Sequence, residues 1–168
     1  MNKLRIVLAA QLLVFLVWGG WLLSSRDADS PEFYLATEPV DPRDLISGTY
    51  VALNYAISRP EPHGCRFGRQ YGKIFVKLED KGKTADIAGG PVPLYEATDC
   101  ARAPGHGALW AEAALQYSGR GDTLTYGIEK FFLNENDPRK DARSGEVVAR
   151  VKLGHGRKLM LLDLVRKL

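Results

Sequence analysis

Two cysteines and two histidines are the side chains in this sequence best suited to chemistry. They occur as His63-Gly-Cys65 and as Cys100 followed by His106. Thiolate and imidazole groups together favour zinc or copper, so these four residues form a candidate two-Cys, two-His metal site. Their spacing is not that of a zinc finger, because a long stretch of chain separates the two pairs.

The same thiols have a second interpretation, in which they bond to each other. Cys65 and Cys100 are the only cysteines, and both lie in segments rich in proline and glycine. A bridge between them would close a loop of about 35 residues. In an oxidising compartment an isolated pair of this kind favours a disulfide, and we then expect no metal or other cofactor.

Serine hydrolase chemistry is not supported by any motif in the chain. The sequence contains no Gly-x-Ser-x-Gly segment, so it offers no nucleophile elbow. The Ser-Met-x-Pro segment of membrane-bound signal peptidases is also absent after the apolar N-terminal stretch. We therefore expect no enzyme, and a membrane-bound hydrolase or peptidase is the least favoured alternative.

An apolar segment at residues 6–23 precedes all of these groups. As a helix it would be about 27 Å long, close to the roughly 30 Å hydrocarbon core of a bilayer. Lys3 and Arg5 come before it, which predicts a cytoplasmic N-terminus. Trp18 and Trp21 lie toward its far end, where indole rings favour the membrane interface. The segment is too long for the core of a cleaved signal peptide, and no small-x-small cleavage site follows it.

The segment predicts a single-pass protein of the bacterial inner membrane, with its C-terminal part in the periplasm. The predicted division is a cytoplasmic N-terminus at 1–5, a transmembrane anchor at 6–23, a linker at 24–32 and an extracytoplasmic domain at 33–168. Membrane lipid is the expected partner of the anchor.

The charge of the exported part is nearly balanced. Of 23 lysines and arginines, Lys3 and Arg5 precede the apolar segment, which leaves 21 bases against 20 acids and a net charge of +1. This balance argues against a nucleic-acid partner and against a polybasic lipid-binding surface.

After residue 23 the sequence alternates strand patterns with turn signals. The clearest strand is residues 49–57, with a bulky, mostly apolar set predicted to face the core: Thr49, Val51, Leu53, Tyr55 and Ile57. Further strands are predicted at 33–37, 72–79, 84–88, 108–117, 123–132, 146–153 and 157–165, and irregular segments at 59–72 and 89–107. The composition of 108–117 also favours a helix, but its alternation favours a strand, and the last two strands are predicted to form a closing hairpin. Since no helical periodicity interrupts this pattern, we predict an all-β domain, a single antiparallel sandwich or partly open barrel of about eight strands.

Three finer predictions concern the ends and edges of these strands. Residues 80–83, Asp-Lys-Gly-Lys, are typical of a hairpin turn. Residues 123–132 are predicted to be one strand, with Phe132 on its apolar face. Residues 159–162 are apolar at every position, which favours a central strand over an edge strand.

Residues 48–55, Gly-Thr-Tyr-Val-Ala-Leu-Asn-Tyr, resemble the signature of the GDYXXLXY family. The positions that match the signature are Gly48, Tyr50, Leu53 and Tyr55. Thr49 departs from it, because the family has aspartate there. Alternation along the strand places Tyr50 on the outer face, where its ring would form part of an apolar patch.

A second segment strengthens the resemblance. Residues 126–132, Tyr-Gly-Ile-Glu-Lys-Phe-Phe, are similar to the second common block of the family. The resemblance implies a membrane-anchored protein without assigned activity and, through gene neighbourhood, a polytopic membrane protein as partner. Our leading hypothesis is a non-catalytic binding or accessory subunit of a membrane complex; the alternative is a periplasmic module that binds a small ligand or a metal.

Overall fold

The structure is a computed structural model. It describes residues 2–24, 30–39, 50–59, 72–118, 121–134, 136–137 and 143–168. The chain divides into two compact units, Met1–Ser30 and Pro31–Leu168. The first residues of the signature-like segment, Gly48 and Thr49, and most of the predicted irregular segment at 59–72 lie outside the described residues.

The first unit contains one helix, α1 (Asn2–Ser24). Its described side chains are apolar apart from Arg5 and Gln11, and the large apolar ones are exposed. Within the described part of the chain we find no helix whose length and hydropathy together meet the requirements of a membrane span. A helix is therefore present where one was predicted, but its assignment as a membrane span is not established by the structure.

The second unit is built from β-strands, which confirms the all-β prediction. The described strands are β1 (Glu32–Glu38), β2 (Tyr50–Ala52), β3 (Asn54–Tyr55), β4 (Lys73–Ile87), β5 (Gly90–Ala101), β6 (Leu109–Ser118), β7 (Gly121–Thr125), β8 (Lys130–Phe132), β9 (Val147–Leu153) and β10 (Leu159–Arg166). Seven of them form an open sheet, curled into a half-barrel, in the order β10-β9-β1-β5-β4-β6-β7. Strand β3 adds to β1, and β2 pairs separately with β8.

The sheet is not purely antiparallel, which corrects the prediction. Strand β1 lies between β9 and β5, antiparallel to β9 and parallel to β5. In the parallel pair, Tyr34 and Leu35 are in register with Leu94 and Tyr95. The pairing joins segments about 60 residues apart, and a strand pattern carries no information about such a distant neighbour.

The alternation predicted for residues 49–57 is confirmed, although the segment is not one strand. Val51, Leu53, Tyr55 and Ile57 are all buried in the main core. The ladder is interrupted at Leu53, between β2 and β3, and the segment ends in a 3-10 turn at Ala56–Ser58. Side-chain alternation therefore continues where the strand pairing changes partner.

The hairpin turn predicted at residues 80–83 is wrong, because β4 continues through it. Gly82 has a φ of +80°, and its N–H donates to Asp80 Oδ1 at 2.7 Å. The pairing of β4 with β5 is irregular between Asp80 and Thr84 and resumes beyond. These residues therefore have turn chemistry but form a bulge within a long strand, and the chain reverses later, at Ala88-Gly89.

The irregular segment predicted at 89–107 is also wrong over its first part, which is β5. Pro91 and Pro93 are two residues apart, so the N–H groups that they lack would have pointed to the same edge of the strand. Strand β1 pairs with β5 at Leu94 and Tyr95, beyond both prolines. The prolines are accommodated because they precede this three-stranded region.

The predicted strand at 123–132 is broken, and its end is not buried. Strand β7 ends at Thr125, Gly127 has a φ of +80°, and the chain then continues as β8. The side chain of Phe132 is 71% exposed, so its predicted place on the apolar face is wrong. The positive φ at Gly127 redirects the chain, which allows β8 to pair with β2 rather than extend β7.

Strand β10 is an edge strand of the described sheet, not a central one. It forms the predicted closing hairpin with β9 but has no second long partner in the sheet order. Its two faces are nevertheless both used. Leu159 and Leu164 join the main core, and Val165 packs on the opposite face against a second cluster of Ile87, Leu94 and Val148. Two-sided burial thus arises from packing above and below the strand, without neighbours on both edges.

Candidate functional site

The two segments that resemble the family blocks meet in space. Strand β2 pairs with β8, so that Tyr50 lies opposite Phe132 and Val51 opposite Phe131. Where β2 ends, the N–H of Leu53 donates to the carbonyl of Glu129 at 2.8 Å. Sequence reasoning identified each segment but gave no indication that they bind each other.

Two buried tyrosines connect these segments reciprocally. The hydroxyl of Tyr55 donates to the carbonyl of Ile128 at 2.7 Å. The hydroxyl of Tyr126 donates to the carbonyl of Ile57 at 2.8 Å. We refer to these two bonds, together with the bond from Leu53 to Glu129, as the tyrosine clasp.

The electrostatics of the clasp hold both phenols in the neutral form. Burial raises the pKa of Tyr55 far above the usual value, and the nearby carboxylate of Glu129 raises it further. The pKa of Tyr126 is raised for the same two reasons. A tyrosine in this environment donates a hydrogen bond and does not supply a phenolate, so the clasp can hold the chain together but cannot act as a nucleophile or base.

Glu129 also has a direct structural contact. One of its carboxylate oxygens accepts a hydrogen bond from the backbone N–H of Tyr126 at 2.5 Å. This bond closes the short segment around Gly127 and fixes the direction in which the chain enters β8. The second block is therefore held by its own side chain as well as by the first block.

A buried polar cluster beside the clasp was missed by sequence reasoning. Thr37 Oγ1 donates to the carbonyl of Val147 and accepts from the N–H of Gly145. Ser144 Oγ accepts from the N–H of Asn54 at 3.1 Å and contacts the carbonyl of Glu38. These hydroxyls join β1, β3 and the start of β9, and a single serine or threonine in such segments carries no sequence signal.

The outer side of the signature carries aromatic rings and a cation. The rings of Tyr50 and Phe132 lie 5.8 Å apart, and Lys130 Nζ lies 4.7 Å from the centre of the Tyr50 ring. Tyr50 is half-buried and faces away from the buried set, as alternation predicts. The family signature thus has an inner side that fixes the fold and an outer side available for contact.

The candidate metal site is only partly within the described residues. His63 and Cys65 lie outside them. Cys100 lies near the end of β5, where it packs against the main core, and His106 is exposed in the following loop. No group of three or more His, Cys, Asp or Glu side chains suited to a metal occurs in the described ranges. The four-residue ligand set therefore stays a prediction, as does the bridge from Cys65 to Cys100.

Comparison with known proteins identifies the family and nothing closer. No curated protein matches the chain, and no solved structure does. A family model described as "GDYXXLXY protein" matches residues 12–164, which is most of the sequence and includes both segments of the clasp. The chain therefore belongs to the GDYXXLXY family.

Proposed function

We propose that this protein is a membrane-anchored, extracytoplasmic binding subunit of a membrane complex, and that it acts without catalysis. The observation that carries the proposal is the tyrosine clasp. The hydroxyls of Tyr55 and Tyr126 are buried and committed to backbone carbonyls. The buried tyrosines of the two family segments therefore serve the fold, and the outer side of the signature, with Tyr50 and Phe132, is left for recognition of a partner.

The membrane anchor is proposed from the surface of α1. Large apolar side chains are exposed over more than half of their surface along the helix: Ile6, Val7, Leu8, Leu12, Leu13, Val14, Phe15, Leu16, Val17, Trp18 and Trp21. A helix that is apolar on all sides belongs in a protein core or in a bilayer, because water does not favour either face. A helix of 23 residues is about 35 Å long, enough for the hydrocarbon core of a membrane.

The orientation and location follow from the charges that flank the helix. Lys3 and Arg5 stand at its N-terminal end, which favours a cytoplasmic N-terminus. The β unit is then extracytoplasmic, and in a bacterium with two membranes it lies in the periplasm. A polytopic membrane protein is the proposed partner, which α1 could contact within the bilayer and the β unit outside it.

A disulfide between Cys65 and Cys100 is part of this proposal. The sequence contains two cysteines, Cys65 and Cys100, an even number that favours one bridge between them. A periplasmic location supplies the oxidising conditions that such a bridge requires. The bridge would stabilise the β unit by about 3–4 kcal/mol in the chain-entropy account, by linking the segment that contains Cys65 to the end of β5.

Native mass spectrometry of the full-length protein, gently extracted from its own membrane, tests the proposal. We expect a second protein mass on the native species, and a chain two hydrogens lighter than the reduced sequence after denaturation. An added metal or small-molecule mass, lost in both Cys100→Ser and His106→Ala, would support the ligand-binding alternative instead. Full recovery of the protein in the supernatant after alkaline extraction of membranes would contradict the anchor.

A further inference from the structure

Strands β2 and β8 form a separate two-stranded sheet, so each has one edge that pairs with no other strand in the described part of the chain. Strand β8 is the more accessible of the two. Its Lys130 side chain is exposed and that of Phe132 is 71% exposed, whereas Tyr50 and Ala52 of β2 are half-buried. The free edge of β8 is therefore a place where another extended segment has room to pair.

The register of the ladder shows which backbone groups this edge offers. Ala52 lies opposite Lys130, and the next residue, Leu53, donates its N–H to the carbonyl of Glu129. Directly opposite pairs in an antiparallel ladder alternate between hydrogen-bonded and non-hydrogen-bonded, so the pair of Ala52 and Lys130 is non-hydrogen-bonded. The N–H and carbonyl of Lys130 therefore point away from β2. Phe132 is two residues further along, and its backbone groups point the same way.

These outward groups are not used by the described residues. Neither the N–H of Lys130 nor that of Phe132 has a hydrogen-bond acceptor among them. The edge strand β10 differs, because a bulge between Leu161 and Asp163 interrupts its pairing, and the Asp163 carboxylate accepts from the N–H of Leu164 at 2.9 Å. Bulges and charges of this kind disfavour pairing at an edge. The pairing of β8 has no such irregularity.

The positive charge beside this edge lacks a complement. None of the ion pairs formed among the described residues involves Lys130. Its Nζ lies 4.7 Å from the centre of the Tyr50 ring, on the side of β2, and so does not extend across the free edge. The neighbouring carboxylate of Glu129 accepts from the N–H of Tyr126. A carboxylate from outside this sheet is therefore the group that fits the free ammonium.

We propose that β8 binds an extended segment of the partner protein as an added strand, and that this segment carries an acidic residue two positions from an apolar one. The side chains of Lys130 and Phe132 lie on one face, so alternate side chains of an added strand would stand opposite them. A carboxylate opposite Lys130 and an apolar group opposite Phe132 complement the charge and the ring. The inference rests on the proposed function, because the segment belongs to the partner in the membrane complex.

A second copy of this chain fits the edge less well. Strand β8 reads Lys-Phe-Phe and contains no acidic residue. Two copies paired along this edge would bring two Lys130 ammonium groups onto one surface with no carboxylate between them. Like charges across a strand pair are destabilising, so the charge favours a different, acidic partner segment.

Photocrosslinking of the full-length protein in its native membrane tests the inference. Benzoylphenylalanine replaces Phe132 in one variant and Met160 in a matched control, since Met160 is 48% exposed on the other edge strand, β10. We expect a crosslink to a second protein from position 132 and not from position 160. Mass spectrometry of the crosslinked peptide should show an aspartate or glutamate two residues from an apolar residue.

Substitutions of Lys130 in the protein that carries the probe at position 132 test the charge. We expect Lys130→Glu to lower the crosslinking yield by about fivefold or more, because an attractive cross-strand pair becomes repulsive. Lys130→Arg should retain the yield. Lys81→Glu makes the same charge change at an exposed position in β4 and should retain it as well.

A second pair of substitutions tests the backbone pairing. Lys130→Gln and Lys130→Pro both remove the charge, but only proline removes the outward N–H, and neither removes a bond between β2 and β8. We expect the yield with proline to be about fivefold below that with glutamine, which is the effect of one hydrogen bond. Equal yields would overturn strand addition. The glutamate and arginine variants decide the role of the charge even if the proline variant does not fold.

The outcomes separate this inference from the proposed function. A crosslink from position 160 alone, or none from position 132 while native mass spectra retain a second protein, would overturn the role of β8 and leave the complex intact. A crosslink from position 132 to a second copy of this chain, or to a segment without an acidic residue, would also overturn the inference. No crosslink from either position, with no added protein mass, would overturn the proposed function and the inference with it.

Discussion

The tyrosine clasp and the β9–β10 turn are opposite kinds of structure within one small domain. In the clasp, polar groups are buried, each hydroxyl has a carbonyl partner, and the local pKa values disfavour ionisation. In the turn, which joins β9 to β10 through residues 154–158, the side chains of His155, Arg157 and Lys158 are exposed, and Arg157 is held in an unfavourable backbone conformation. The first region contributes stability and offers no reactive group, whereas the second offers charge at some cost in stability.

The contrast separates what identifies the family from what the protein presents to its surroundings. The signature is recognisable because several side chains must fit one another, and Tyr55 is completely buried. A surface that attracts lipid or protein needs only charge or apolar area in the right place. Such a surface has no fixed spacing, so a motif search finds the clasp and passes over the turn.

The largest effect should come from removing the hydroxyls of the clasp. We expect Tyr55→Phe and Tyr126→Phe each to lower the free energy of unfolding by about 1–3 kcal/mol, because a buried carbonyl loses its donor in each variant. Urea unfolding followed by circular dichroism measures this directly. Tyr50→Phe is the matched control; its ring lies on the outer face with Phe132, and we expect a change below about 0.5 kcal/mol.

Should Tyr50→Phe cost as much as the two buried variants, the division of the signature into an inner and an outer side would be wrong. If instead all three variants are neutral, the clasp contributes nothing to stability.

Alkaline pH should weaken the clasp without any mutation. Above about pH 10 the unfolded chain loses its phenolic protons, whereas the folded chain keeps those of Tyr55 and Tyr126, whose pKa values are raised by burial. The unfolded state then binds fewer protons, so the free energy of unfolding falls by about 1.4 kcal/mol per pH unit for each tyrosine. Between pH 10 and pH 11 the free energy of unfolding of Tyr126→Phe should fall by about 1 kcal/mol less than that of the parent protein, because the unfolded phenol is still half protonated at pH 10. An identical slope in the variant and the parent would rule out a raised pKa at this position.

The smallest effect should be a gain in stability at the turn. Arg157→Gly removes the strain of a positive φ but gives the unfolded chain more freedom, so we expect a net gain of about 0.5–1 kcal/mol. Thermal unfolding should show a higher Tm for this variant. Gly156→Ala, at a φ of +70°, is the matched control and should lose about 1 kcal/mol. A fall in Tm for Arg157→Gly would mean that the arginine side chain stabilises the turn, and the contrast with the clasp would weaken.

Local residue patterns predicted the all-β architecture, the buried set from Val51 to Ile57 and the closing hairpin. The predictions failed where one local residue pattern is compatible with two different structures. The Asp-Lys-Gly-Lys segment at 80–83 would have the same side-chain contact and the same positive φ in a hairpin turn and in a bulge. It forms a bulge because β4 continues to pair with β5 on both sides of it. The apolar residues on both faces of β10 did not indicate that it is an edge strand, because packing above and below the sheet can bury a strand that has only one neighbouring strand.

The residues of the candidate site could be predicted from the sequence, but the contacts between them could not, because those contacts join segments that are distant in the chain. The signature and the second block were visible as residues, but their joining depends on β2 pairing with β8 across roughly 80 positions. The hydroxyls of Thr37 and Ser144 had no signal at all, because their partners are backbone groups from distant strands.

Amide hydrogen exchange at Leu53 tests the central claim most directly, since its N–H forms the backbone bond between the two blocks. We predict that this amide exchanges at least tenfold faster in Tyr126→Phe than in the parent protein, and at an unchanged rate in Tyr50→Phe. A tenfold change corresponds to about 1.4 kcal/mol of lost stability in the opening of the clasp. An unchanged rate at Leu53 in Tyr126→Phe would show that the tyrosine does not hold the blocks together, and the signature would then need a role other than the fold.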